Sequence, residues 1–114
     1  MYLNKVTIIG NLTRDPELKF TVGGNAVCNF AIASSQGKDK DVMFIDVTAW
    51  KEPAENVAEL KKGDRVVISG ILKQEWWETD GQMHNKFKIT AQEVGASLRW
   101  AKVNIIKKEK GKDD

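Results

Sequence analysis

Three aromatic side chains stand where their rings are free to do chemistry rather than fill a core. Met43, Ile45, Val47 and Ala49 alternate with Phe44, Asp46, Thr48 and Trp50. Successive side chains of a strand point to opposite faces, so Phe44 and Trp50 lie on the polar side of this segment. The same parity places Trp77 with Arg65, Ser69, Lys73 and Glu75, opposite Val66, Ile68 and Leu72. A flat ring among polar neighbours can stack on an unpaired base of any identity, at about 1–3 kcal/mol per base. Lys73, Lys86, Lys88 and Arg65 occupy outward positions on adjoining strands and offer cations to phosphates. The chemistry these residues suit is capture of a single-stranded polyanion, without bond making or breaking.

A competing reading holds for each ring. An outward aromatic can equally be covered by a helix, a loop or a neighbouring subunit, so an oligomer interface is the alternative for Phe44, Trp50 and Trp77. The parity of Trp76 points inward at the end of the strand or against the following hairpin, and it is assigned to packing. Trp100 lies in a C-terminal segment of mixed pattern and is assigned to an interface. Lys61 and Lys62 fit the last turn of a helix, where the dipole favours cations.

Five segments follow period two and must carry these residues. The first runs from about Asn4 to Leu12, with Val6, Ile8 and Leu12 on one face and Gly10 at a bend. Asp15-Pro16 turns the chain, Glu17 to Thr21 can add a short extended piece, and Gly23-Gly24-Asn25 signals a hairpin. The second strand puts Cys28, Phe30 and Ile32 on one face. A polar loop from Gln36 to Asp41 precedes the third strand, described above. Pro53, the spacing of Val57 and Leu60, Lys61-Lys62 and Gly63 predict a short helix over about Ala54 to Lys62. The fourth strand spans about Arg65 to Trp77 with a bulge or bend at Gly70, and Asp80-Gly81 turns into the fifth. There Met83, Phe87, Ile89 and Ala91 are expected to face inward, and His84, Lys86, Lys88, Thr90 and Gln92 outward. Five strands with one short helix between strands three and four predict an all-β chain with the order of an OB-fold, a five-stranded Greek-key barrel. Residues 1–106 are read as this one domain and 107–114 as a short charged disordered tail.

The bulk numbers agree with a small binding module and exclude several classes. At 114 residues the chain is the size of one domain, and no apolar run approaches the roughly 18 residues needed to span a bilayer. The start carries no pattern of a secretory signal, so the chain is expected to stay in the compartment where it is made. One cysteine, Cys28, and one histidine, His84, give neither a disulfide nor a metal cluster, so no metal and no cofactor are expected. A net charge of +2 identifies nothing by itself; the placement of the charges does. No phosphate loop, nucleophile elbow or paired cysteines are found, and a carboxylate pair such as Glu75 with Glu78 falls by spacing on opposite strand faces, so no enzymatic activity and no catalytic residue are expected.

The order Asn4-Lys5-Val6, Gly10-Asn11-Leu12 and Asp15-Pro16-Glu17-Leu18-Lys19-Phe20 resembles the opening of the bacterial and mitochondrial single-stranded DNA-binding protein family. Phe44 to Trp50, Leu60-Lys61-Lys62-Gly63-Asp64 and Gly70-Ile71-Leu72 followed by Trp77 continue the resemblance, which covers about Asn4 to Val94. It implies a homotetramer of OB-folds that binds and protects single-stranded DNA without sequence preference in replication, recombination and repair. It implies stacking by Phe44, Trp50 and Trp77, with Phe44 where tryptophan is frequent and Trp50 where phenylalanine is. Lys5, Lys19, Phe20, Lys62 and Lys73 fall where members place basic or aromatic DNA contacts, and Lys86 and Lys88 join them from the parity count. A cytoplasmic or nucleoid-associated protein, bacterial or phage-encoded, is implied.

Two departures from the family pattern stand out. The loop Ser34 to Val42 lacks the stacking tryptophan that relatives often carry, so that one contact is expected to be either absent or replaced by Lys38 and Lys40. The chain ends Lys110-Gly111-Lys112-Asp113-Asp114 without the acidic, hydrophobic tip that recruits other proteins, so recruitment by that route is not expected and a phage, plasmid, organellar or specialised role is open. A protein-interaction OB module and an RNA-binding OB protein are the other readings the residues leave open.

Overall fold

The structure, a computed structural model, describes residues 3–35, 37 and 41–108. Among them the elements run β1 (Val6–Leu12), β2 (Glu17–Phe20), β3 (Ala26–Ser35), β4 (Val42–Trp50), α1 (Glu52–Val57), β5 (Arg65–Thr79) and β6 (Gln82–Ala96). Strands β1, β5, β6, β4 and β3 are hydrogen-bonded in that order, and β3 returns to β1 through Asn11 opposite Ala33 and Leu12 opposite Ile32. Five strands thus close into a ring, which leaves no long unpaired edge among them. The short extended piece anticipated after Asp15-Pro16 is β2, paired antiparallel to β3 on the outside of the ring.

Alternation of apolar side chains puts one face of every ring strand inward. Phe30, Ile32, Val47, Val66, Ile68 and Ile89 are fully or almost fully buried, and burial of each such side chain contributes about 1.5–3 kcal/mol. Cys28 packs among them; burial pushes its thiol up, so it serves as a small apolar side chain. The helix packs against β3, β4 and β6 and adds Ala54 and Val57 to the same core.

Gly70 is required where β5 bends. A Cβ there would collide with the carbonyl oxygen of Thr90 on β6, and the pairing of the two strands shifts between Ser69 and Gly70. Beyond that point β5 and β6 outrun their neighbours. β1 pairs with β5 only over Arg65–Gly70, and β4 pairs with β6 only over Lys88–Thr90. The remainder of the two strands forms a two-stranded arm, closed by the Asp80-Gly81 turn with both φ angles positive, at 50° and 80°.

The helix differs from the expectation at both ends. It starts at Glu52, with Pro53 in its first turn, and stops at Val57 instead of reaching Lys62. Two carboxylates account for the early stop: Asp64 accepts a hydrogen bond from the Lys61 amide at 2.8 Å, and Asp15 accepts one from the Lys62 amide at 2.8 Å. Those amides are held in a turn, so Lys61 and Lys62 do not cap a helix dipole. Ser97 to Lys108 carries no regular element, and residues 109–114 of the expected tail lie outside the described residues.

Candidate nucleic-acid interface

Strand register assembles the outward residues into rows across one sheet face. Trp50 on β4 lies opposite Val27 on β3, which lies opposite Lys19 on β2. Asp46 on β4 faces Ala31 on one side and Lys88 on the other, and Lys88 faces Lys73 on β5. Phe44 faces Ala33. The small Val27, Ala31 and Ala33 beside the rings leave them standing clear: Phe44 is 70% exposed and Trp50 44%. Trp50 lies six residue steps along the strand from Phe44, a span of about 20 Å. Trp77 continues the same face onto the arm, beyond Glu75 and Lys86, and is 44% exposed.

Between the β4 rings and the arm lies a cleft of about 140 Å³, lined by Arg14, Asn29, Asp46, Thr48, Glu75, Lys86 and Lys88 among others. Thr48 sits on this outer face, yet it is buried and donates its hydroxyl to Asn29 Oδ1 at 2.9 Å. The lysines of the face are not all equivalent. Lys86 pairs with Asp46 at 3.1 Å and Lys88 with Glu75 at 2.7 Å, while Lys19 pairs with its strand neighbour Glu17 at 2.9 Å. The hydrogen bond from Lys88 holds the Glu75 carboxyl below its ordinary value, and Lys19 does the same to Glu17. Lys73 and Lys5 have no carboxylate within ion-pair distance among the described residues. Among the described residues Lys86 and Lys88 are thus each engaged by a carboxylate, whereas Lys73 is not.

Phe44, Trp50, Lys19, Lys73, Lys86 and Lys88 therefore share one sheet face, with Trp77 on its extension. Lys5 reaches the root of the arm because Asn4, its neighbour, clamps the Leu72 backbone: its amide nitrogen donates to the Leu72 carbonyl at 3.0 Å and its oxygen accepts from the Leu72 amide at 2.9 Å. Lys62 lies on the turn tied to Asp15, next to Arg14. Phe20 is exposed but pairs with Ala26, so it occupies the side of β2 opposite Lys19. The loop lysines Lys38 and Lys40 lie outside the described residues.

The arm corrects three inward assignments. Trp76 is 58% exposed, more than Trp77, and Phe87 and Met83 are exposed too. Their parity is as expected, but a two-stranded arm has no interior for that parity to point into. Arg14, which lines the cleft, carried no signal in the sequence because it stands in an irregular turn with no alternation. Trp100 is exposed and lies under two guanidinium groups, those of Arg65 at 4.7 Å and Arg99 at 5.1 Å from the ring centre. Among the described residues no helix is long and apolar enough to cross a membrane, and no His, Cys, Asp and Glu side chains group to hold a metal ion.

A closed five-stranded ring with a helix between β4 and β5 is the architecture of an OB-fold. The chain belongs to the single-strand binding protein family, whose model matches residues 3–97. It is 43% identical over 117 residues to a single-stranded DNA-binding protein of Corynebacterium glutamicum, covering 93% of this chain and 52% of that one. Proteins of the same description from Paenarthrobacter aurescens and Mycobacterium tuberculosis are 44% and 43% identical, covering 88% and 90% of this chain and 65% and 69% of theirs. The chain thus spans about half to two thirds of the length of these curated relatives.

Proposed function

We propose that this chain binds single-stranded DNA without sequence preference and protects it during replication, recombination and repair. The observation that carries the reading is the exposure of Phe44, Trp50 and Trp77 on one continuous face with Lys73, Lys86 and Lys88 beside them. Bases stack on the three rings and the lysines track phosphates; no residue is assigned a catalytic role, and neither a cofactor nor a metal enters. Lys5, Lys19 and Lys62 flank the path, and Phe20 contributes from the other side of β2. The relatives' shared description supports the ligand. In this reading residues 1–106 form the binding domain and 107–114 a charged tail. The working form is a homotetramer in the cytoplasm or on the nucleoid.

Titration of the intact chain with oligo-dT at low salt, followed by tryptophan fluorescence, tests the proposal. Strong quenching is the expected result, because a base stacked on Trp50 or Trp77 opens a non-radiative path for the excited indole. Unchanged fluorescence together with no shift in sedimentation would overturn it. A parallel titration with oligo-rU distinguishes the RNA reading: tighter binding to RNA would replace DNA as the ligand.

A further inference from the structure

We propose that His84 is a positioning residue for Trp77, holding the indole ready for a base. The inference rests on the single-stranded DNA reading above. His84 on β6 lies directly opposite Trp77 on β5, and the two rings are stacked, with centroids 5.5 Å apart and planes 23° from parallel. One face of the indole is thereby covered by imidazole, and the other is left for a base, which would continue the column. The need for such support follows from where Trp77 stands. On the two-stranded arm no third strand or helix among the described residues pairs with it, so an unsupported indole would sample several rotamers and lose that freedom on stacking. A cross-strand ring removes the freedom before DNA arrives, and cross-strand aromatic pairs are among the contacts that hold hairpins together.

The neighbouring tryptophan supplies an internal control. Trp76 is the more exposed of the two, but its cross-strand partner is Asn85, which offers no ring. Its face of the arm also carries Gln74, Glu78, Met83 and Phe87 and no lysine or arginine, whereas the face of Trp77 carries Lys73, Lys86 and Lys88. Exposure alone would select Trp76; a backing ring and nearby cations select Trp77.

A double-mutant cycle on the intact chain, read by oligo-dT affinity, tests the role. His84→Ala is expected to weaken binding by about 2- to 10-fold, the cost of ordering one side chain, and to have no further effect in a Trp77→Ala background. His84→Phe, which keeps a ring and removes both nitrogens, is expected to restore the affinity. Equal losses in both backgrounds, or failure of His84→Phe to restore binding, would overturn the proposal, because the imidazole would then be touching DNA on its own account. Should His84→Ala lose its fold, His84→Thr takes its place in the cycle, being suited to a strand. If the unsubstituted chain fails to bind oligo-dT, the binding reading itself falls, a result distinguishable from a cycle that shows no coupling.

Discussion

The ring and the arm are built from the same two strands, β5 and β6, yet they obey different rules. Inside the ring, Val66, Ile68 and Ile89 alternate with outward residues and are completely buried. Past Leu72 the alternation continues, but Trp76, Phe87 and Met83 on the formerly inward side are exposed. The strands have not changed; their neighbours have. Burial is a property of what covers a face, and among the described residues no further strand or helix pairs with the arm. The ring holds the buried core, while the arm carries Trp77 past the last residues paired with β1 and β4.

The largest effects should separate the two regions by stability. Phe30→Ala in the ring core is expected to cost about 3–5 kcal/mol, by loss of buried area and the cavity it leaves. Trp76→Ala on the arm should stay within about 0.5 kcal/mol of the parent. Denaturant unfolding measures both, and comparable losses would mean that the arm is packed. Binding should sort the residues in the opposite way. Trp50→Ala and Trp77→Ala are each expected to weaken oligo-dT binding by about 1–3 kcal/mol with little change in unfolding.

The lysines sharpen the comparison further. Lys73→Ala should lower the log–log salt slope of binding by about 0.7, the value for one phosphate contact on a single strand. Glu75→Gln should leave that contact and steepen the slope by up to about 0.7, because Lys88 is released from its carboxylate. Equilibrium titrations at several salt concentrations read both, and an unchanged slope in Glu75→Gln would show that Lys88 makes no phosphate contact.

The smallest effect is on pH. The folded Glu75 carboxyl lies below its ordinary value of 4.5, held there first by the hydrogen bond from Lys88. Its contribution to stability is therefore complete above the unfolded value and is lost as pH falls through the folded one. Because the group is exposed, the effect is slight. Melting midpoints compared between the parent and Glu75→Gln should differ above about pH 4.5 and converge below it, and a constant difference down to acid pH would show that the ion pair is not the cause.

Much of this was legible in the residues. The alternation of Met43 to Trp50 placed Phe44 and Trp50 on the outer face, and Gly70 and Asp80-Gly81 marked the bend and the turn where the structure has them. What escaped depends on contacts between distant segments. Of the two carboxylates that end the helix early, Asp15 is 47 residues from Lys62, whose amide hydrogen bond it accepts. Trp76 follows the expected parity, but no local pattern tells where β1 and β4 stop covering β5 and β6. Ion pairs such as Lys86 with Asp46, 40 residues apart, are likewise invisible until the strands are aligned.

The most direct test of the outer face uses its own fluorescence. The chain has four tryptophans, and replacing Trp76 and Trp100 with phenylalanine leaves Trp50 and Trp77 as the reporters. Saturating oligo-dT should quench this variant strongly, with the affinity of the parent chain. An unquenched signal at saturation, with DNA demonstrably bound, would contradict the account and move the binding surface elsewhere on the molecule.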